Sequence, residues 1–137
     1  MIVADANLVA YAYTPSPYAD EVEELGLRDP IWVTVELCRS EFRNLLAAYL
    51  RKQWLTLEQI NWILEQKERR FEFGYYEVNS AEVMALVASS QCSAYDCEYV
   101  ALAKKFDVPL ITYDRQLLTS FPEIARTTVH HLTTIRK

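Results

Sequence analysis

The chain has 137 residues and a formal net charge of −5, from 14 basic and 19 acidic side chains, with 51% of its residues hydrophobic and 24% charged. That length and mixture suit one soluble globular domain over 1–137, with a core of its own. Its only two glycines, Gly26 and Gly74, exclude a P-loop and a GxGxxG dinucleotide loop, and no apolar run approaches the roughly 18 residues of a membrane span.

Ile2-Val3-Ala4 opens the chain as a short buried strand that ends on a carboxylate, Asp5. An acid so early, with no basic leader before it, argues against a signal peptide and for a cytoplasmic protein. The Pro-containing stretch Thr14-Pro-Ser-Pro17 leads to a short helix near 18–27, and Pro30 precedes a strand at Ile31-Trp32-Val33. Thr34 is placed to cap a long helix over 35–51. Apolar Cys38, Phe42, Leu45, Leu46 and Tyr49 follow the helical spacing there. Thr56-Leu-Glu-Gln59 reads as a capping box for a helix near 57–70, with basic Lys67, Arg69 and Arg70 at its C-terminal end. Residues 73–78 look like a strand. Asn79 caps a helix over 80–90, and Ser93 caps the next, over 94–106. Val108–Tyr113 reads as a strand, Asp114 opens a short helix, and Thr128–Leu132 reads as a last strand. Strands alternating with helices predict an α/β fold, a parallel sheet of about five strands covered by helices on both faces.

Four acids fall in informative places. In such a sheet, ligands gather beyond the carboxyl ends of the strands, near the switch point of strand order. Asp5 and Asp114 each follow a strand. Glu41 lies on the long helix, about 60° from the centre of its apolar stripe, where a carboxylate is costly to desolvate. Asp96 lies in the first turn of its helix beside Cys97, Val100 and Ala101, which should face inward. Each acid also has an ordinary reading. Asp96 would complete a capping box with Ser93, Asp114 would be an N-cap, Glu41 would pair with Arg39 or Arg43 or lean into solvent at the stripe edge, and Asp5 would be a turn residue.

The joint arrangement resembles a PIN domain, and more narrowly the VapC-type toxins. The resemblance rests on Val3-Ala-Asp-Ala-Asn7, Glu36–Asn44 on the long helix, Ser93-Ala-Tyr-Asp-Cys-Glu-Tyr-Val-Ala-Leu-Ala103, and Leu110-Ile-Thr-Tyr-Asp-Arg115, in order over nearly the whole chain. It implies a three-layer α/β/α sandwich. It also implies a Mg²⁺- or Mn²⁺-dependent ribonuclease, usually a homodimer and usually neutralised by a small antitoxin protein. The family's acidic quartet falls on Asp5, Glu41, Asp96 and Asp114, and its small polar residues on Asn7 and Thr112. Ala6 departs from the hydroxyl residue that many members carry.

Elementary electrostatics agrees with a cation. Four carboxylates about 6 Å apart would repel by roughly 17 kcal/mol at an effective dielectric near 20, more than a typical domain's roughly 5–15 kcal/mol of stability. Oxygen ligands without His or Cys select Mg²⁺ or Mn²⁺ over Zn²⁺. The expected chemistry is in-line attack of an activated water on an RNA phosphate, with Asp5 and Asp114 as principal ligands, Asp96 direct or through water, and Glu41 completing the set or orienting the water. Removing the four acids leaves 19 − 4 = 15 acidic against 14 basic residues, near neutrality. Arg39, Arg43 and Arg115 flank the acidic motifs and are candidates to meet phosphates.

Other features carry less. Cys38, Cys92 and Cys97 have no CxxC spacing and read as free buried thiols. His130 and His131, adjacent on the expected strand, would point to opposite faces, one packed and one exposed. Trp32, Trp54 and Trp62 suit a core or interface, Trp62 and Ile63 a groove for a partner helix, and Tyr95 and Tyr113 stand beside site acids. Two rival functions remain: a PIN-like module that binds RNA or metal without cutting, and a DNA nuclease of the flap type, for which the chain is short.

Overall fold

A computed structural model of the chain describes residues 1–135; residues 136 and 137 of the expected domain lie outside the described residues. Its centre is β1 (Ile2–Ala4), in which all three residues are fully buried. Such a run has no polar alternation because both of its faces are covered. The parallel sheet runs β3 (Tyr75–Tyr76), β2 (Trp32–Val35), β1, β4 (Leu110–Ile111), β5 (Ala125–Arg126). Val3 pairs with Val33 on one side and with Leu110 on the other. Strand order therefore reverses between β1 and β4, and a crevice opens beyond their carboxyl ends.

Eight helices are described: α1 (Ala6–Tyr13), α2 (Ala19–Arg28), α3 (Leu37–Arg51), α4 (Leu57–Arg70), α5 (Ser80–Ala88), α6 (Ala94–Phe106), α7 (Arg115–Ser120) and α8 (Thr128–Thr134). Helix α1 packs on α2, α3 and α4, whereas α5 and α6 pack together with α6 against β1, β2 and β4. Right-handed crossovers put the helices that follow β1 and β2 on one face and those that follow β3 on the other. The result is the α/β/α sandwich expected.

Local signals explain most boundaries. Thr56 and Gln59 form the full capping box of α4: Gln59 N–H donates to Thr56 Oγ1 (3.1 Å), and Thr56 N–H donates to Gln59 Oε1 (2.8 Å). Asn79 and Ser93 cap α5 and α6. Three expectations are corrected. Thr34 does not cap α3; it lies inside β2, fully buried, and its hydroxyl donates to Ala4 O (2.7 Å), stitching β2 to β1. Residues 6–13, left without an element, form α1. Thr128–Leu132 is not a strand but most of α8, capped by Thr127, whose side chain accepts from His130 N–H (3.1 Å). The fifth strand lies just before it and is two residues long. His130 is exposed and His131 is buried, but on a helix: His131 Nε2 meets Asp29 Oδ2 at 2.8 Å, and its Nδ1 meets Arg126 Nη1 at 3.3 Å. The three cysteines are buried and free. Trp32 is core, while Trp54 and Trp62 are exposed. Among the described residues, no helix is long and apolar enough to cross a membrane.

Candidate active site

The four acids arrive from four elements. Asp5 follows β1 directly and caps α1, so the same residue ends the central strand and starts a helix. Its buried carboxylate is fully engaged: Leu8 N–H donates to Oδ1 (2.9 Å), and the Thr112 hydroxyl donates to Oδ2 (2.5 Å). Each oxygen still keeps a lone pair. Asp114 follows β4 and caps α7, its Oδ1 accepting from Gln116 N–H (2.8 Å) and Leu117 N–H (3.1 Å). Thr112 Oγ1 also accepts from Asp114 N–H (3.0 Å), so one threonine ties the first acid to the loop that carries the last. Asp96 stands in the first turn of α6, whose cap is Ser93. Glu41 lies one turn into α3 and is half-buried.

All four line one cleft of about 180 Å³, together with Ala6, Asn7, Asn44, Leu45 and Tyr99. The cleft lies beyond the carboxyl ends of β1 and β4, at the reversal of strand order. The ordinary reading of Asp114 as a helix cap is true as well, and Asp5, read as a turn residue, is also a cap; capping holds each carboxylate at the cleft. The arginine pairing offered for Glu41 is not made. Arg39 pairs instead with Glu36 (3.2 Å) and Glu68 (2.9 Å) and lies 3.8 Å over the Tyr75 ring, while Arg43 reaches only Ser40. Glu41 Oε1 accepts from the Tyr99 hydroxyl at 2.6 Å.

The cleft is electrostatically loaded. Burial first, then Asp114 and Asp96, push the Asp5 carboxyl up from 3.8 to about 6, against the hydrogen bonds from Thr112 and Leu8. Burial, with Asp114 and Glu41 adding, also raises Asp96. Burial and Glu41 raise Glu98. Burial dominates each shift, and the neighbouring carboxylates add to it. Among the described residues, no three His, Cys, Asp or Glu side chains stand close enough to hold an ion between them as they are. The acids share a cleft rather than a closed cage.

Tyr99, Asn44 and Leu45 were not read from the sequence as site residues. Tyr99 is three residues after Asp96 and Asn44 three after Glu41, a spacing that places each on its acid's helix face. Of the arginines, Arg43 and Arg115 are exposed and make no ion pair among the described residues, whereas Arg39 is engaged. Asn7 is exposed at the cleft, and Thr112 is buried beneath it.

Comparison with known proteins gives this arrangement a family. The PIN domain pattern matches residues 2–125, from the central strand to the fifth. The chain belongs to the PIN domain family. Ribonuclease VapC3 of Pyrobaculum aerophilum is 30% identical over 127 residues, 90% of this chain and 96% of that protein, so this PIN domain is of the VapC type. Two crystal structures share the fold. PAE2754 from Pyrobaculum aerophilum superposes with a TM-score of 0.76 at 19% identity, covering 97% of this chain and 94% of its own. FitAcB from Neisseria gonorrhoeae gives 0.72 at 18% identity, covering 95% and 99%. The PIN domain match ends at 125, so α8 lies beyond it.

Proposed function

We propose that this PIN domain is an endoribonuclease that uses Mg²⁺ or Mn²⁺, with Asp5, Glu41, Asp96 and Asp114 as its acidic site. The observation that carries the reading is that these four acids, each from a different element, line one cleft at the switch point of the sheet. The ribonuclease name of a relative aligned over nine-tenths of the chain supports RNA as the substrate. The donor set fits a hard divalent ion: carboxylate oxygens with the Asn7 and Asn44 amides alongside, and neither His nor Cys among the lining residues. Because the acids do not close on one point, their side chains must turn inward to share an ion.

Such an ion, when bound, supplies a water of lowered pKa and positive charge for the phosphate. The chain does the rest. Asp5 is fixed by Leu8 N–H and Thr112, and Asp114 by the first N–H groups of α7. Tyr99 holds Glu41 by one oxygen, which leaves Oε2 to ligate or to orient water. Arg43, which meets only Ser40, and Arg115 are exposed and available to phosphate. As a VapC-like protein, the chain is further proposed to act as a homodimer and as the toxin of a pair, held inactive by a small antitoxin.

The test is cleavage of total RNA by purified protein with Mg²⁺ or Mn²⁺, with EDTA, and with Asp114→Asn. Metal-dependent cutting that is lost in the variant supports the reading. Cutting in EDTA, or a variant as active as its parent, refutes it. RNA binding without cutting in any metal would instead make the protein a binding module.

A further inference from the structure

On the segments that follow Asn7 and flank Asp114, three tyrosines pack together, two pairs tilted and Tyr11 edge-on to Tyr113. Tyr11 is one turn along α1 from Asn7, and helical side chains lean toward their own N-terminus, here toward the cleft. Tyr113 immediately precedes Asp114, and Tyr18 immediately precedes α2. The ring centroids are 4.4 Å apart for Tyr18 and Tyr113, 5.0 Å for Tyr11 and Tyr18, and 5.2 Å for Tyr11 and Tyr113. Burial, then Tyr18, Tyr49 and Asp5, raise the Tyr11 phenol above its ordinary value.

Packing alone does not account for this group. Tyr18 holds the N-cap position of α2 and makes no cap hydrogen bond, where Ser, Thr, Asp or Asn would make one. Local stability would choose a different residue. Tyr18 also stays 37% exposed despite its two ring partners. The hydroxyls of Tyr11 and Tyr18 have no hydrogen-bond partner among the described residues, whereas that of Tyr113 lies 2.7 Å from Glu21 Oε2 and 2.8 Å from Thr128 Oγ1. Tyr113 is thus an anchored backing plate and Tyr18 an open one. Pro15 and Pro17 stiffen the loop, and Tyr18 N–H donates to Ser16 Oγ (3.0 Å). The shelf is ordered before any ligand arrives, so little freedom is lost on binding.

We propose that Tyr18, backed by Tyr113 and Tyr11, is a stacking site for one unpaired RNA base next to the phosphate that enters the cleft. The ligand class follows from the chemistry. An uncharged aromatic face beside a cluster of carboxylates attracts the neutral part of a nucleotide, while Asp20, Glu21 and the cleft acids repel its phosphate. The base is thereby seated on the rings, and the phosphate goes only where a cation is held. Every base has a π-face, so the site tolerates sequence but requires a base free of its duplex. The inference takes its ligand from the nuclease reading above.

The experiment uses degenerate nine-nucleotide RNAs with a central 2-aminopurine, bound to Asp5→Asn protein in Mg²⁺ so that no cutting intervenes. Stacking on Tyr18 quenches the fluorescence. In the same background, Tyr18→Ala and Tyr18→Leu abolish the quench, and Tyr18→Trp and Tyr18→Phe restore it. Tyr18→Leu keeps the packing volume without a π-face, so its loss of quench separates stacking from a purely structural role. In cleavage by otherwise unaltered protein, Tyr18→Ala raises KM roughly 5- to 150-fold, and the loss falls on KM rather than kcat. No quench with the parent protein, or a quench that survives Tyr18→Leu, overturns the shelf even if RNA is cut. A quench without any cutting by unaltered protein keeps the shelf and overturns the nuclease.

Discussion

Replacing Asp5 by Asn should make the metal-free protein more stable at neutral and alkaline pH while abolishing its proposed activity. The Asp5 carboxyl is raised from 3.8 to about 6, chiefly by burial. A group raised on folding contributes stability that is complete below its unfolded pKa and is lost as pH climbs through the folded value. At 1.36 kcal/mol per pH unit, the protein forfeits about 3 kcal/mol between pH 4 and 6 that an uncharged side chain would retain. Asn is as good an N-cap as Asp, so the bond from Leu8 N–H survives. The hydrogen bond from Thr112 is weakened, at about 1 kcal/mol. The net gain at pH 8 is about 2 kcal/mol, or a shift in urea midpoint of roughly 1 M. Urea unfolding of both proteins in EDTA at pH 4, 6 and 8 measures it. Asp96 and Glu98 also titrate upward, but they are common to both proteins and cancel in the difference. A variant no more stable than its parent at pH 8, or a difference that does not grow with pH, refutes the reasoning. Mg²⁺ at a hundred times its Kd should then add about 2.7 kcal/mol to the parent and clearly less to the variant.

Tyr99→Phe removes the hydroxyl that holds Glu41 and keeps the buried ring; the Mg²⁺ concentration for half-maximal cleavage should rise by about tenfold or more, with the unfolding midpoint little changed. Arg43→Ala should raise KM for RNA and flatten its salt dependence, whereas Arg39→Ala, whose guanidinium is taken by Glu36, Glu68 and Tyr75, should affect stability instead; equal KM effects would contradict the assignment. Burial alone would raise Asp29, but hydrogen bonds from the terminal ammonium and His131 outweigh it and hold its carboxyl below 3.8. Asp29→Asn should therefore cost stability at pH 7, and that deficit should fade as pH falls from about 4 through the folded value, read by thermal unfolding across pH.

What the sequence revealed followed from how local each signal was. The four acids were legible because each sits at a helix start or a stripe margin, features that neighbouring residues define. The capping box at Thr56 and the long stripe of α3 were legible for the same reason. Helix α1 was not, because Ala6, Leu8, Val9 and Ala10 are all buried among other helices and leave no polar face to set a period. Its one clear signal was Asp5 as a cap, and that residue was read as a ligand or a turn residue. Thr128–Leu132 misled through its Thr and Val, residues favoured in strands, whereas the Thr127 cap and the buried His131–Asp29 contact decide for helix. Thr34 was read as a cap because its hydroxyl's partner, Ala4 O, is 30 positions away. Tyr99 was missed for the same reason: its partner Glu41 is 58 positions away, and only the folded chain brings the two together.

Asp5 ends the first strand, yet the hydroxyl that orients it belongs to Thr112, 107 positions later. Strand β4 must slot in beside β1 before either Thr112 or Asp114 can reach the crevice. Without that pairing the first and last acids do not share a crevice, whatever the helices have managed to form. The crevice is thus a product of long-range strand pairing rather than of any one helix.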